Sequence, residues 1–192
     1  MKNDYKWLIW PAIIIVLILA VVGWYVSTYN SLIKTNERVN NQWAQVETQY
    51  QRRVDLIPNL VSTVKGYSGF EQETLTQITA LRSQWQSAST VDQKVQTANE
   101  IESTLSKLLV ISENYPDLKA NQNFLALQDE LANTENKIAV ERGRYNDAVR
   151  IFNTKIKTFP SNIVAGNLGY SDREYFQSKP GSEDAPTVDF NN

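Results

Sequence analysis

The stretch WLIWPAIIIVLILAVVGWYV, residues 7–26, decides the architecture of this chain. It carries no charge, and no Asp, Glu, Lys or Arg falls between Lys6 and Lys34. At ~1.5 Å rise per residue, a helix of that length crosses a hydrocarbon core of ~30 Å. Trp7, Trp10, Trp24 and Tyr25 stand at its two ends, where amphipathic rings settle at the headgroup level. Pro11 falls in the first turns, where a missing backbone donor costs little. The run exceeds the about 7–15 apolar residues of a signal peptide and ends at Gly23-Trp24-Tyr25-Val26, without a small-residue cleavage site. It therefore reads as an uncleaved anchor. Lys2 and Lys6 before it balance Lys34 and Arg38 after it, so charge leaves the side of the following domain open.

With 192 residues, the chain has room for one span and one domain of ordinary size. Histidine and cysteine are both absent. That removes thiolate nucleophiles, disulfides, iron–sulfur and cysteine-bound zinc sites, Ser-His-Asp and Cys-His arrangements, and imidazole ligands. A formal net charge of -2 gives no basic nucleic-acid footprint. Glycine-rich phosphate loops and nucleophile elbows are missing too. The expectation is a protein that is not an enzyme, holds no cofactor or metal and binds no nucleic acid.

Beyond the anchor the pattern is helical throughout. Phe124, Leu131, Ile138, Tyr145, Phe152 and Phe159 recur every seven residues, with Leu127, Ala148, Val149 and Ile156 beside them. This predicts one amphipathic helix over residues 118–159, opened by Pro116 and stopped by Pro160. Tyr29, Asn36, Trp43, Tyr50, Ile57 and Val64 form a second row, flanked by Leu32, Val39, Val46 and Leu60. The span continues into that helix with no intervening Gly or Pro after Val26, and Pro58 is expected to kink it. Two shorter helices lie between. One opens on a Ser68–Glu71 capping box and carries Leu75, Ile78, Leu81 and Trp85; the other opens at Thr90, three residues before Gln93.

The predicted fold is all-α: an N-terminal transmembrane helix, then an antiparallel up-down-up-down bundle of two long and two shorter helices. Expected boundaries are a tail at 1–6, the anchor at 7–27, the bundle at 28–160, a short docked segment at 161–177 and a disordered tail at 178–192.

Three places are candidates for chemistry. At the distal turns, Tyr67 and Phe70 flank Ser68-Gly69 and should share one end with Tyr115, a set of aromatics suited to a partner. Along the last helix, Thr134 and Glu135 fall beside the apolar row, with Arg142 seven residues after Glu135, as a buried polar layer would place them. At the proline, Arg52, Arg53 and Asp55 form a small charged group in which Asp55 can pair with Arg52 one turn earlier.

Several strings resemble one known family. RRVDLIPNLVSTVKGY (residues 52–67), YPDLKANQNFLALQDEL (115–131), TENKIA (134–139), Arg144-Tyr145-Asn146, Phe159-Pro160 and the Tyr29-Asn30-Ser31-Leu32 start after the anchor are similar to the bacterial LemA family. The resemblance covers residues 7–176 and implies one N-terminal span with a soluble helical domain. It also implies a short N-terminus outside and the helical domain in the cytoplasm, and it brings no catalytic residues with it. The expected function is a membrane-anchored scaffold or interaction protein of the cell envelope with a protein partner. The alternative is a small-molecule or lipid-binding module using the polar layer at Thr134 and Glu135 or the kink at Pro58.

Overall fold

The computed structural model describes residues 6–67 and 71–176. Among these there are six helices and no strand: α1 (Lys6–Lys65), α2 (Gln72–Ser87), α3 (Val91–Ser112), α4 (Pro116–Lys119), α5 (Gln122–Lys157) and α6 (Ser161–Asn167). The fold is the expected all-α bundle of two long and two shorter helices, with α4 and α6 as additional short elements.

Helix α1 has 60 residues and passes Pro58 without a break. Pro58 itself is exposed, while Val54, whose carbonyl loses its helical donor, is buried. From Ile9 to Val26 every residue of α1 is exposed, its large apolar side chains from 38% at Trp24 to 71% at Trp10, so this segment packs its apolar surface against none of the other described residues.

The chain divides into two compact units. One joins α1 up to Trp43 with everything from Arg142 onward; the other is Ala44–Glu141.

In the first unit, Leu32 and Val39 of α1, Ala148, Val149, Phe152 and Ile156 of α5, and Val164 and Ala165 of α6 are buried. Lys155 Nζ donates to Ser31 Oγ, and Trp43 meets Tyr145 edge-on at 5.9 Å. Later residues of α5 thus lie beside earlier residues of α1, an antiparallel pair.

The second unit is a four-helix bundle whose directions follow from its contacts. Trp85 of α2 packs on Tyr50 of α1 at 5.4 Å, and Lys94 near the start of α3 pairs with Glu47. At the opposite end, Lys107 reaches Glu71 at 3.4 Å, and Asn121 donates to the Tyr67 hydroxyl at 2.9 Å. The α1 segment, α2, α3 and α5 therefore run up, down, up and down. Val46, Tyr50, Val54, Ile57, Leu60 and Val64 form the α1 stripe of this core. Facing it are Leu75, Ile78, Leu81 and Trp85 of α2, Ala98, Ile101, Leu105 and Leu108 of α3, Leu118 of α4, and Phe124, Leu131 and Ile138 of α5. Each large side chain buried here contributes about 1.5–3 kcal/mol.

The Thr90–Gln93 capping box is formed: the Thr90 side chain accepts from the Gln93 amide, and the Gln93 side chain accepts from the Thr90 amide. The expected box at Ser68–Glu71 is corrected. Helix α2 begins at Gln72 with Glu71 itself as N-cap, and Ser68 lies outside the described residues.

The last long helix also starts later than expected. Pro116 opens only the single turn of α4, and Asn121 then caps α5 by accepting from the amides of Asn123 and Phe124 at 2.9 and 3.2 Å. An Asn at this point terminates one helix and begins the next because its short side chain competes for the free backbone donors. Phe159 leaves the heptad row as well. It follows the end of α5 and is 76% exposed, whereas the five earlier members of the row are buried.

Candidate functional site

A buried charge sits within the second unit. Arg53 is 3% exposed, and α1 turns it inward because it occupies the stripe between Tyr50 and Ile57. Its Nε donates to Thr134 Oγ1 at 3.4 Å, and its Nη2 donates to the Leu131 carbonyl at 3.5 Å and to Glu135 Oε2. Thr134 is also buried and donates its own hydroxyl proton to the Leu131 carbonyl at 2.8 Å. Glu135 is 44% exposed, so the ion pair has one dry and one wet partner. These groups satisfy one another. Chemically the arrangement fixes the register of α1 against α5, a use for which a buried polar group is well suited.

The sequence pointed to Thr134 and Glu135 but not to Arg53 as their partner. Asp55, assigned to Arg52 in the sequence reading, accepts instead from Gln51 Nε2 at 2.8 Å. Arg142 belongs to the first unit, where its guanidinium carbon lies 5.3 Å from the centre of the Phe176 ring.

At the distal turns Tyr67 is half-buried. Its hydroxyl accepts from Asn121 and donates to the Asp117 carbonyl at 3.5 Å. Tyr115 is half-buried and precedes α4 as its N-cap residue. The third predicted member, Phe70, lies outside the described residues. Close by, the Glu71 carboxylate is held below its ordinary titration range. The Thr74 hydroxyl that donates to it is the main cause, opposed by partial burial and assisted by Lys107.

The most elaborate arrangement lies in the first unit. After α6 the chain turns back and runs extended along α5 from Tyr170 to Phe176. Asn153 Nδ2 donates to the Arg173 carbonyl at 2.8 Å, and its Oδ1 accepts from the Arg173 amide at 2.9 Å. Asn146 repeats the pattern on Phe176, at 3.0 and 2.9 Å. Seven helical residues advance ~10.5 Å and three extended residues ~10 Å, so two asparagines spaced by seven match backbone groups spaced by three. Tyr145 adds a hydroxyl bond to the Glu174 carbonyl at 3.3 Å. The Phe176 ring stacks on Trp43 at 5.8 Å and meets Tyr145 edge-on at 5.3 Å. This surface grips an extended chain through its backbone and seats one aromatic side chain. Sequence reasoning missed it, although Tyr145-Asn146 and Phe152-Asn153 repeat one aromatic-Asn pattern at the heptad spacing.

Elsewhere, a shallow groove of about 260 Å³ at the α2–α3 turn is lined by Gln84, Ser87, Gln93, Gln96, Thr97 and Glu100. It is smaller than ordinary ligand pockets and lacks the apolar walls that hold a small molecule. Among the described residues, no group of three or more Asp, Glu, His or Cys is placed to hold a metal ion.

Comparison with known proteins agrees with this architecture. The LemA family model matches residues 42–190. Protein LemA of Metamycoplasma hominis is 31% identical over 156 residues, covering 80% of this chain and 71% of that protein. Magnetosome protein MamQ 2 of Paramagnetospirillum magneticum is 23% identical over 206 residues, covering 92% of this chain and 75% of that protein. Magnetosome protein MamQ of Magnetospirillum gryphiswaldense is 21% identical over 203 residues, at 92% and 74% coverage. With its exposed apolar segment, its helical bundle and this match over most of its length, the chain is a membrane-associated protein that belongs to the LemA family.

Proposed function

We propose that this protein is a single-pass, membrane-anchored helical scaffold of the cell envelope, which binds protein partners and does not turn over a substrate. The observation that carries the reading is the continuity of α1: one unbroken helix of 60 residues holds both the apolar segment and the core stripe. Within the first unit, the anchor passes into the packed segment at Leu32 and Val39 with no flexible linker between, which suits presentation of a surface to a partner. The surface chemistry supports it as well. The asparagine pair that grips the backbone of residues 173 and 176 is a peptide-holding device, and the sequence contains no cysteine thiol or histidine imidazole.

The test is crosslinking of the full-length protein in intact membranes, followed by denaturing purification and identification of the attached chains. Recovery of one or a few proteins in every replicate, lost when crosslinker is omitted, supports the scaffold. Recovery of only the protein itself, or of a different set each time, overturns it.

A further inference from the structure

The elbow between α5 and α6 bares an apolar pair among the described residues: Phe159 is 76% exposed and Ile163, four residues on, is 55% exposed. The opposite face of α6 is not exposed; Val164 and Ala165 are buried at 0 and 2%. The elbow is thus two-faced, one side packed on the first unit and the other bare.

Its height relative to the apolar segment is fixed within the same unit. Lys155 Nζ bonds Ser31 Oγ, five residues beyond the end of the apolar run at Val26. Because α5 is antiparallel to α1, each further residue of α5 moves toward that run. Helix α5 runs two residues past Lys155 to Lys157, a rise of ~3 Å, and Phe159 follows in the turn beyond it. The helix end therefore lies at about the level of Tyr29, and the elbow continues from there on the side of Trp24 and Tyr25 at the end of the apolar run.

The charge pattern on both arms is an independent observation. The chain has more acidic than basic residues, 21 against 19, yet no Asp or Glu occurs from residue 5 to 36 or from residue 148 to 171. Lys34, Arg150, Lys155 and Lys157 fall in those windows, and the carboxylate of Asp172 that ends the second pairs with Lys157 at 2.6 Å. A surface that bares Phe and Ile, keeps Arg150, Lys155 and Lys157 on the adjoining turns and ties its Asp172 carboxylate to Lys157 matches the headgroup boundary of a bilayer.

We propose that the α5–α6 elbow is a second membrane contact, seating Phe159 and Ile163 among the lipid headgroups beside the span. The proposal rests on the reading that residues 7–26 cross the bilayer. With the helical unit touching the membrane at two points, the anchor is no longer a swivel, and the unit is held upright.

Depth-dependent quenching tests it, and the absence of native cysteine makes the labelling clean. The full-length protein carrying Ile163→Cys, Phe159→Cys, Tyr25→Cys or Ser62→Cys is labelled with an environment-sensitive fluorophore and reconstituted in phosphatidylcholine–phosphatidylglycerol vesicles. Lipid spin-labelled near the headgroup is the quencher. The expected result is loss of emission at positions 163 and 159 on the scale of that at position 25, with no loss at position 62. Quenching at 25 but not at 163 and 159 overturns the elbow contact and leaves the anchor standing. No quenching at 25 overturns the anchor reading, and the elbow contact with it.

Discussion

Replacing Arg53 by alanine removes the most deeply buried charged side chain among the described residues, and its cost can be worked from the geometry. The substitution deletes two long hydrogen bonds to neutral acceptors, at 3.4 and 3.5 Å, and one charged bond to a carboxylate that is 44% exposed. The neutral bonds contribute about 0.5 kcal/mol each at such lengths and the screened ion pair about 1 kcal/mol. Loss of the buried methylenes beyond Cβ adds about 1.5 kcal/mol. The sum is about 3.5 kcal/mol, which in a protein of this size lowers the unfolding midpoint by about 7–14 °C. Arg53→Met keeps the apolar stem and loses only the guanidinium's bonds, so it should cost about 2 kcal/mol. Glu135→Ala, which leaves Arg53 buried without its carboxylate, falls between the two. The assay is thermal unfolding of the full-length protein in one detergent, followed by far-ultraviolet circular dichroism. A midpoint for Arg53→Ala within about 1 °C of wild type, or equal losses for Arg53→Ala and Arg53→Met, would refute the reasoning.

Three further outcomes are expected. Asn146→Ala and Asn153→Ala each remove a donor and an acceptor from the extended segment, so amide exchange at Phe176 and Arg173 should accelerate about 10-fold or more by mass-resolved hydrogen exchange, with α5 itself unchanged. Thr90→Ala breaks the capping box of α3 and should destabilise it by about 1 kcal/mol, read as a lowered unfolding midpoint. Glu71 has a folded titration point below its ordinary range, so its contribution to stability is present above the unfolded carboxylate range and lost as pH falls through the folded value. Wild type should therefore exceed Glu71→Gln in midpoint near neutrality, and the gap should close below about pH 4.

The helical scaffold was legible in the sequence because burial and helical period coincide. Leu32, Val39 and Val46, and Phe124, Leu131, Ile138, Tyr145 and Phe152, recur at seven residues and are buried. The pattern overran where local chemistry broke the helix. Asn121 reads as one more polar residue on a helix surface until its side chain is seen capping the amides of Asn123 and Phe124. Phe159 keeps the spacing of seven but follows the end of α5 and is exposed.

The polar contacts were harder to read, for a physical reason. A helix pattern assigns each charge to solvent or to a neighbour one turn away, whereas the partner of Arg53 is 82 residues distant in sequence. Asn146 and Asn153 look unremarkable for the same reason, since their role depends on an extended segment whose own sequence carries little pattern.

The central claim is that residues 7–26 cross the membrane once and carry the helical bundle on one side. Single cysteines at Asn3 and at the exposed Ser62, probed with an impermeant maleimide in intact and lysed cells, test it most directly. The account predicts that one position labels in intact cells and the other only after lysis. Identical labelling of the two, whether both open or both protected, would contradict it.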